Sequence, residues 1–222
     1  MPVDIESWSA ELTEKLRGAY GDKLLFVGLQ GSYGRKEATP DSDIDVVVIL
    51  KDLAAADLDR YRALLAEMPN GALACGFISG ERELLSWMPS ELFLLYFDTE
   101  PLYGSLGFLC RLFGEGAAAE AVRSGACAIY HGCCHNYLYE RSAGVLAALY
   151  KSAFFVLRAK YFCENGLYVK KRAELAGLLA GDDLAVLEAW IALRPEDCGD
   201  AEFIAASGRL LDWSSEVIAR YA

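Results

Sequence analysis

Apolar positions follow one rhythm in the first half of the chain and another in the second. Ile5, Trp8, Leu12 and Leu16 recur at helical spacing and predict an opening helix over residues 5–19. "KLLFVGLQ" (23–30) is rich in β-forming residues, stops at Gly31, and reads as a first strand. "DIDVVVIL" (43–50) reads as a second, and its unbroken Val/Ile run implies burial on both faces. A helix over 57–68 is stopped by Pro69-Asn70-Gly71. Beyond it, "LACGFIS" (73–79) reads as a third strand, "RELLSW" (82–87) as a short helix, "ELFLLYFD" (91–98) as a fourth strand and "TEPLYG" as a turn.

From residue 105 onward strand-like runs vanish. Helix-period segments take over at 117–139, 142–165, 170–195 and 201–221, separated by Gly114-Glu115-Gly116, Asn165-Gly166, Gly181 and Pro195. The expectation is an α+β chain: a domain over 1–110 with a mixed sheet and helices, then an all-α helical bundle over 111–222.

The stretch "GLQGSYGRKEATPDSDIDVVVIL" (28–50) concentrates the candidate chemistry. Asp43 and Asp45 stand at i and i+2 of a strand, so their carboxylates project from one face, roughly 7 Å apart along the chain. Two carboxylates in an apolar setting repel unless a cation sits between them. Hard oxygen ligands in small number suit Mg²⁺, which takes its remaining ligands from water and substrate phosphates. Upstream, Gly31-Ser32 follows a strand and opens a short helix, an arrangement that turns backbone N–H groups toward an anion. Ser32 adds a hydroxyl donor, and Arg35 adds a charge one turn on. Gly-Ser turns and Asp-x-Asp pairs are each commonplace; the information lies in their order, strand, Gly-Ser turn, loop, Asp-x-Asp, strand.

"GSYGRKEATPDSDIDVVVIL" resembles the signature of the polymerase-β-like nucleotidyltransferase superfamily, and the layout resembles its aminoglycoside nucleotidyltransferases. "RELLSWMPSELFLLYFDTEPLYG" follows a similar pattern of short helix, turn and strand. The segment "LRAKYFCENGLYVKK" (157–171) is similar to one in which an Arg and a later Lys reach ATP phosphates, and the matching positions are Arg158 and Lys171. The resemblance implies an N-terminal nucleotidyltransferase domain that holds Mg²⁺ on Asp43 and Asp45 and phosphates on Gly31, Ser32 and Arg35, with Arg158 and Lys171 assisting. It implies transfer of a nucleoside monophosphate, AMP from ATP, to a hydroxyl of a small, aminoglycoside-like acceptor. One departure stands out. The superfamily's third carboxylate falls near Cys75, where this chain has no acid and where soft sulfur is a poor match to a hard cation. Asp98 is preferred over Glu81 as a substitute third acid; Asp98 also reads simply as a turn cap before Thr99. The alternative reading is a nucleotidyltransferase-like antitoxin, or a degenerate nucleotide-binding module with little turnover.

The remaining features adjust this picture slightly. A net charge of −11 over 222 residues argues against non-specific nucleic-acid binding and suits a cationic small molecule, or serves solubility alone. No apolar run approaches the roughly 20 residues of a membrane span, and the acidic amphipathic N-terminus is unlike a signal peptide. Seven scattered cysteines suit reduced thiols in the cytoplasm. His131, Cys134 and His135 in "HGCCH" share a helical face with Cys127, but a packed helix explains them more simply than zinc. Tyr150, Phe154, Leu157 and Tyr161 form a stripe expected in the bundle core.

Overall fold

Val46 to Leu50 are each no more than 1% exposed, and the N-terminal architecture is built around them. The computed structural model describes residues 3–114 and 116–222. Its internal contacts divide it into two units, Met1–Gly114 and Glu115–Ala222. In the first, the order is α1 (Ile5–Tyr20), β1 (Leu24–Leu29), α2 (Gly31–Gly34), β2 (Ile44–Leu50), α3 (Ala55–Ala66), β3 (Ala74–Gly80), α4 (Glu81–Leu84), α5 (Pro89–Asp98) and β4 (Glu100–Tyr103). The sheet is mixed and runs β3-β2-β1-β4. β1 is antiparallel to both neighbours, and β2 runs parallel to β3.

Side-chain alternation along β2 feeds two cores. Val46, Val48 and Leu50 pack with Trp8, Leu12, Leu16 and Tyr20 of α1 and with Leu64 of α3. Val47 and Ile49 point the other way, to Phe26, Leu84, Leu92 and Leu109. Each fully buried Leu or Val contributes about 2 kcal/mol relative to exposure. A strand covered on both faces therefore needs the continuous apolar run seen in its sequence.

The structure corrects one expected strand. "ELFLLYFD" (91–98) lies in α5, and strand β4 is the next segment, "EPLY", expected to be a turn. Pro89 takes the first turn of α5, where its missing N–H costs nothing. Leu92 and Phe93 are both buried, and an apolar run this short fits either period. Pro101 is tolerated because β4 is an edge strand.

The second unit is helical among its described residues: α6 (Ala117–His135), α7 (Ala143–Asn165), α8 (Arg172–Ala176), α9 (Gly181–Ala192) and α10 (Asp200–Arg220). Helix α6 packs on α7 and α10, and α7 packs on α9. The helix-period segment over 170–195 holds two helices, α8 and α9, the second starting at the predicted breaker Gly181. The helix expected to reach residue 139 ends at His135 and continues as one π turn over Asn136–Glu140, closed by Arg141 at φ 51°. Asn136 fastens that corner: its amide donates to the Ser142 carbonyl and accepts from the Ser142 N–H, both at 3.0 Å. Glu115, within the expected breaker, lies outside the described residues. No helix among the described residues is long and apolar enough to cross a membrane.

Asp57 ties the first turn of α3 to the start of β1. Its Oδ2 accepts from Lys23 Nζ at 2.7 Å and from the Ala54 N–H at 2.8 Å. Lys23, then the Ala54 amide, hold its carboxyl below the usual aspartate range. The folded value lies below the unfolded one, so this contribution is present above about pH 4 and fades as pH falls through the folded value. Asp57→Asn is therefore expected to destabilise the protein near pH 7, with the gap to wild type closing toward about pH 3. Urea denaturation at the two pH values measures it.

Candidate active site

The turn from β1 into α2 passes directly over β2. The Gln30 N–H donates to the Asp45 carbonyl at 2.8 Å, and Gly31 follows at φ 61°, in the left-handed region. A Cβ on Gly31 would sit 1.7 Å from Asp45 Oδ2. Glycine is thus required twice, by conformation and by the carboxylate beside it. Ser32 follows within α2, so the predicted turn-to-helix geometry is present. Arg35, at the end of α2, places its Nε 3.0 Å from Glu37 Oε2.

β2 brings the two aspartates together. Asp45 lies in the strand and Asp43 immediately precedes Ile44, its first residue. Across the parallel ladder Asp45 is in register with Cys75. The Cys75 thiol lies 3.4 Å from Asp45 Oδ1 and 3.6 Å from Asp43 Oδ2. One ligand atom from each of the three residues lies within 4.8 Å of the other two, close enough to share one cation. Asp43 and Cys75 are exposed and Asp45 is partly buried, so the group is open to solvent. Although Cys75 is exposed as a residue, desolvation of its sulfur pushes the thiol up to about 12, and Asp45 and then Asp43 add to the rise. The thiol is therefore protonated at neutral pH and donates to the carboxylates.

Residues 11–85 match the family described as "Nucleotidyltransferase domain". That segment contains Gly31, Ser32, Asp43, Asp45 and Cys75. A 54-residue stretch is 39% identical to a Methanocaldococcus jannaschii protein named "Putative protein adenylyltransferase"; the match covers 24% of this chain and 37% of that relative, so the chain spans little more than a third of it. Among solved structures, spectinomycin adenyltransferase AAD(9) from Enterococcus faecialis, with ATP and spectinomycin, superposes with a TM-score of 0.54 at 14% identity. That similarity covers 92% of this chain and 98% of the other and concerns the fold.

The other candidates lie elsewhere in the first unit or in the helical unit. Glu81 opens α4 at the far end of β3, six residues past Cys75 and so roughly 20 Å along the strand. Asp98 is buried at the end of α5 and is outside the Asp43–Asp45–Cys75 group. Its neighbour Thr99 accepts a 2.9 Å hydrogen bond from Gln30 Nε2. In the helical unit, Arg158 is fully buried with its guanidinium over the rings of Phe154, Phe155 and Tyr168, at 4.6, 4.7 and 5.6 Å. Lys171 is exposed at the start of α8, where its carbonyl accepts from the Leu175 N–H. Tyr150, Phe154 and Leu157 are core, as their spacing predicts. Within "HGCCH", His131 and His135 are exposed while Cys133 turns inward to the Ser207 carbonyl at 3.3 Å; Cys127, His131, Cys134 and His135 form no metal-binding group among the described residues.

Sequence reasoning noted Cys75 only as a missing acid. Its place between both carboxylates follows from the β2–β3 register, which a single strand pattern does not encode.

Gly31→Ala is expected to displace Asp45, costing about 1–3 kcal/mol of stability and weakening Mn²⁺ binding. Gly18→Ala in α1, where an added Cβ meets nothing within 4 Å, is expected to be neutral or slightly stabilising. Chemical denaturation together with Mn²⁺ titration followed by electron paramagnetic resonance compares the two.

Proposed function

We propose that the chain is a divalent-metal-dependent adenylyltransferase that moves AMP from ATP to a hydroxyl of a small acceptor. The convergence of Asp43 and Asp45 beside the Gly31 turn, inside a nucleotidyltransferase domain, carries this reading. The acceptor oxygen forms a new bond to the α-phosphorus, the bond to the β-phosphate bridge oxygen breaks, and pyrophosphate leaves with that electron pair. A bound divalent cation such as Mg²⁺ supplies charge neutralisation on the phosphate oxygens. Asp43 and Asp45 would hold it; their two hard carboxylates fit such an ion.

The chain's own residues do the positioning. The Gly31 turn offers backbone N–H groups to a phosphate, and the Ser32 hydroxyl donates to it. Arg35 supplies positive charge to the triphosphate, and Asp98 accepts the proton of the attacking hydroxyl. The solved adenyltransferase with ATP and spectinomycin supports ATP as donor and a small polyhydroxylated acceptor. The net charge of −11 suits an acceptor that is cationic.

Cys75 favours a second reading, a domain that binds nucleotide without efficient turnover, because a protonated thiol replaces an acid beside the two aspartates. Incubation with α-labelled ATP, a divalent cation and a panel of aminoglycosides and other polyols separates the two readings. Asp43→Asn and Asp45→Asn are each expected to lower transfer by about 10²-fold or more. Asp98→Asn is expected to lower kcat by about 10²-fold and leave KM for ATP little changed. Transfer that is unaltered in both Asp43→Asn and Asp45→Asn overturns the assignment. Calorimetric ATP binding without label transfer to any acceptor supports the second reading.

A further inference from the structure

The donor set at the site is unusual for a hard cation. Two carboxylate oxygens and one sulfur lie within 4.8 Å of one another, with S···O separations of 3.4 and 3.6 Å. Around a tetrahedral ion with Zn–S of about 2.3 Å and Zn–O of about 2.1 Å, adjacent sulfur and oxygen ligands lie about 3.6 Å apart. The two S···O separations match those of sulfur and oxygen ligands sharing one such ion.

Backbone packing holds the sulfur there. Gly76 adopts φ 123°, and a Cβ on it would lie 2.2 Å from the Val46 carbonyl oxygen and 2.5 Å from the Val46 nitrogen. β3 thus presses against β2 immediately after Cys75, and the register sets Cys75 opposite Asp45. Cys75 is exposed, so an ion reaches it from solvent without any rearrangement of the core.

We propose that Cys75 Sγ is a third ligand to the cation held by Asp43 and Asp45, and that this site selects a thiophilic divalent ion, of the Zn²⁺ class, over Mg²⁺. Binding exchanges the thiol proton for the metal and releases that proton to solvent, with no change of oxidation state. Carboxylate oxygens accept either ion, whereas a thiolate discriminates strongly in favour of the softer one. The proposal rests on the assignment of Asp43 and Asp45 as metal-holding residues and changes which ion they hold.

The test uses the full chain stripped of metal, with no nucleotide present and Cd²⁺ as a spectroscopic probe. Ultraviolet absorption follows the sulfur-to-cadmium charge-transfer band, and competition titrations rank Zn²⁺ against Mg²⁺. The expected result is a band saturating with one equivalent of Cd²⁺ that is missing from the Cys75→Ser difference spectrum, and Zn²⁺ affinity on the order of tenfold or more weaker in that variant. Cys75→Asp is expected to keep ion binding, lose the band and shift preference toward Mg²⁺; circular dichroism verifies that both variants fold. A Cys75→Ser protein with an undiminished band or unchanged Zn²⁺ affinity overturns the thiol ligand while leaving the carboxylates in place. Asp43→Asn and Asp45→Asn proteins that bind Mg²⁺ and Zn²⁺ as wild type does overturn the carboxylate assignment itself.

Discussion

The contact on which the site depends is the passage of the Gly31 backbone over the Asp45 carboxylate. No side chain fits between them, and the positive φ at Gly31 lets the chain turn there at no steric cost. The Gln30 amide, bonded to the Asp45 carbonyl, holds the turn at that height above β2. A loop fastened in this way cannot drift from the strand, so the turn's backbone and the carboxylate stay in fixed relation. Preorganisation of this kind is what phosphoryl transfer asks of a protein that performs little covalent chemistry itself.

The same strand serves the core and the site without conflict because its two ends differ. Residues 46–50 are buried between helices on both faces, while Asp45 is partly buried and Asp43 is exposed at the strand's beginning. Rigidity comes from the apolar end and solvent access from the polar end. Separating the two avoids the cost of an ionised carboxylate in a closed apolar interior. In the helical unit, Arg158 shows another solution to buried charge: its guanidinium stacks on three rings, where the flat, weakly hydrated cation is stabilised by their π faces.

Much of this arrangement is visible in the amino-acid order. The Val/Ile run, the Gly-Ser turn and the paired aspartates are local features, and each acts through chemistry that a short window contains. Segment 91–98 was less legible, because eight mostly apolar residues satisfy a strand and a helix alike. Pro89 at the first turn and burial of both Leu92 and Phe93 decided for the helix. The four-residue β4 carried too little pattern to be seen, and Pro101 disguised it. Cys75 was legible as a departure and illegible as a neighbour. Which residue of "LACGFIS" faces Asp45 depends on how β3 aligns with β2, a long-range pairing set by the surrounding core.

β3 is an edge strand, bonded to β2 on one side only. A side chain at its exposed start is therefore bordered by one strand only, unlike Val47 of β2, which is fully buried. Exchange at position 75 alters the donor atoms beside the aspartates while the layers that stabilise the unit remain as they are. The donor set beside the aspartates and the folding of the unit are consequently separable traits in this scaffold, and the former is open to evolutionary or engineered change at a single residue.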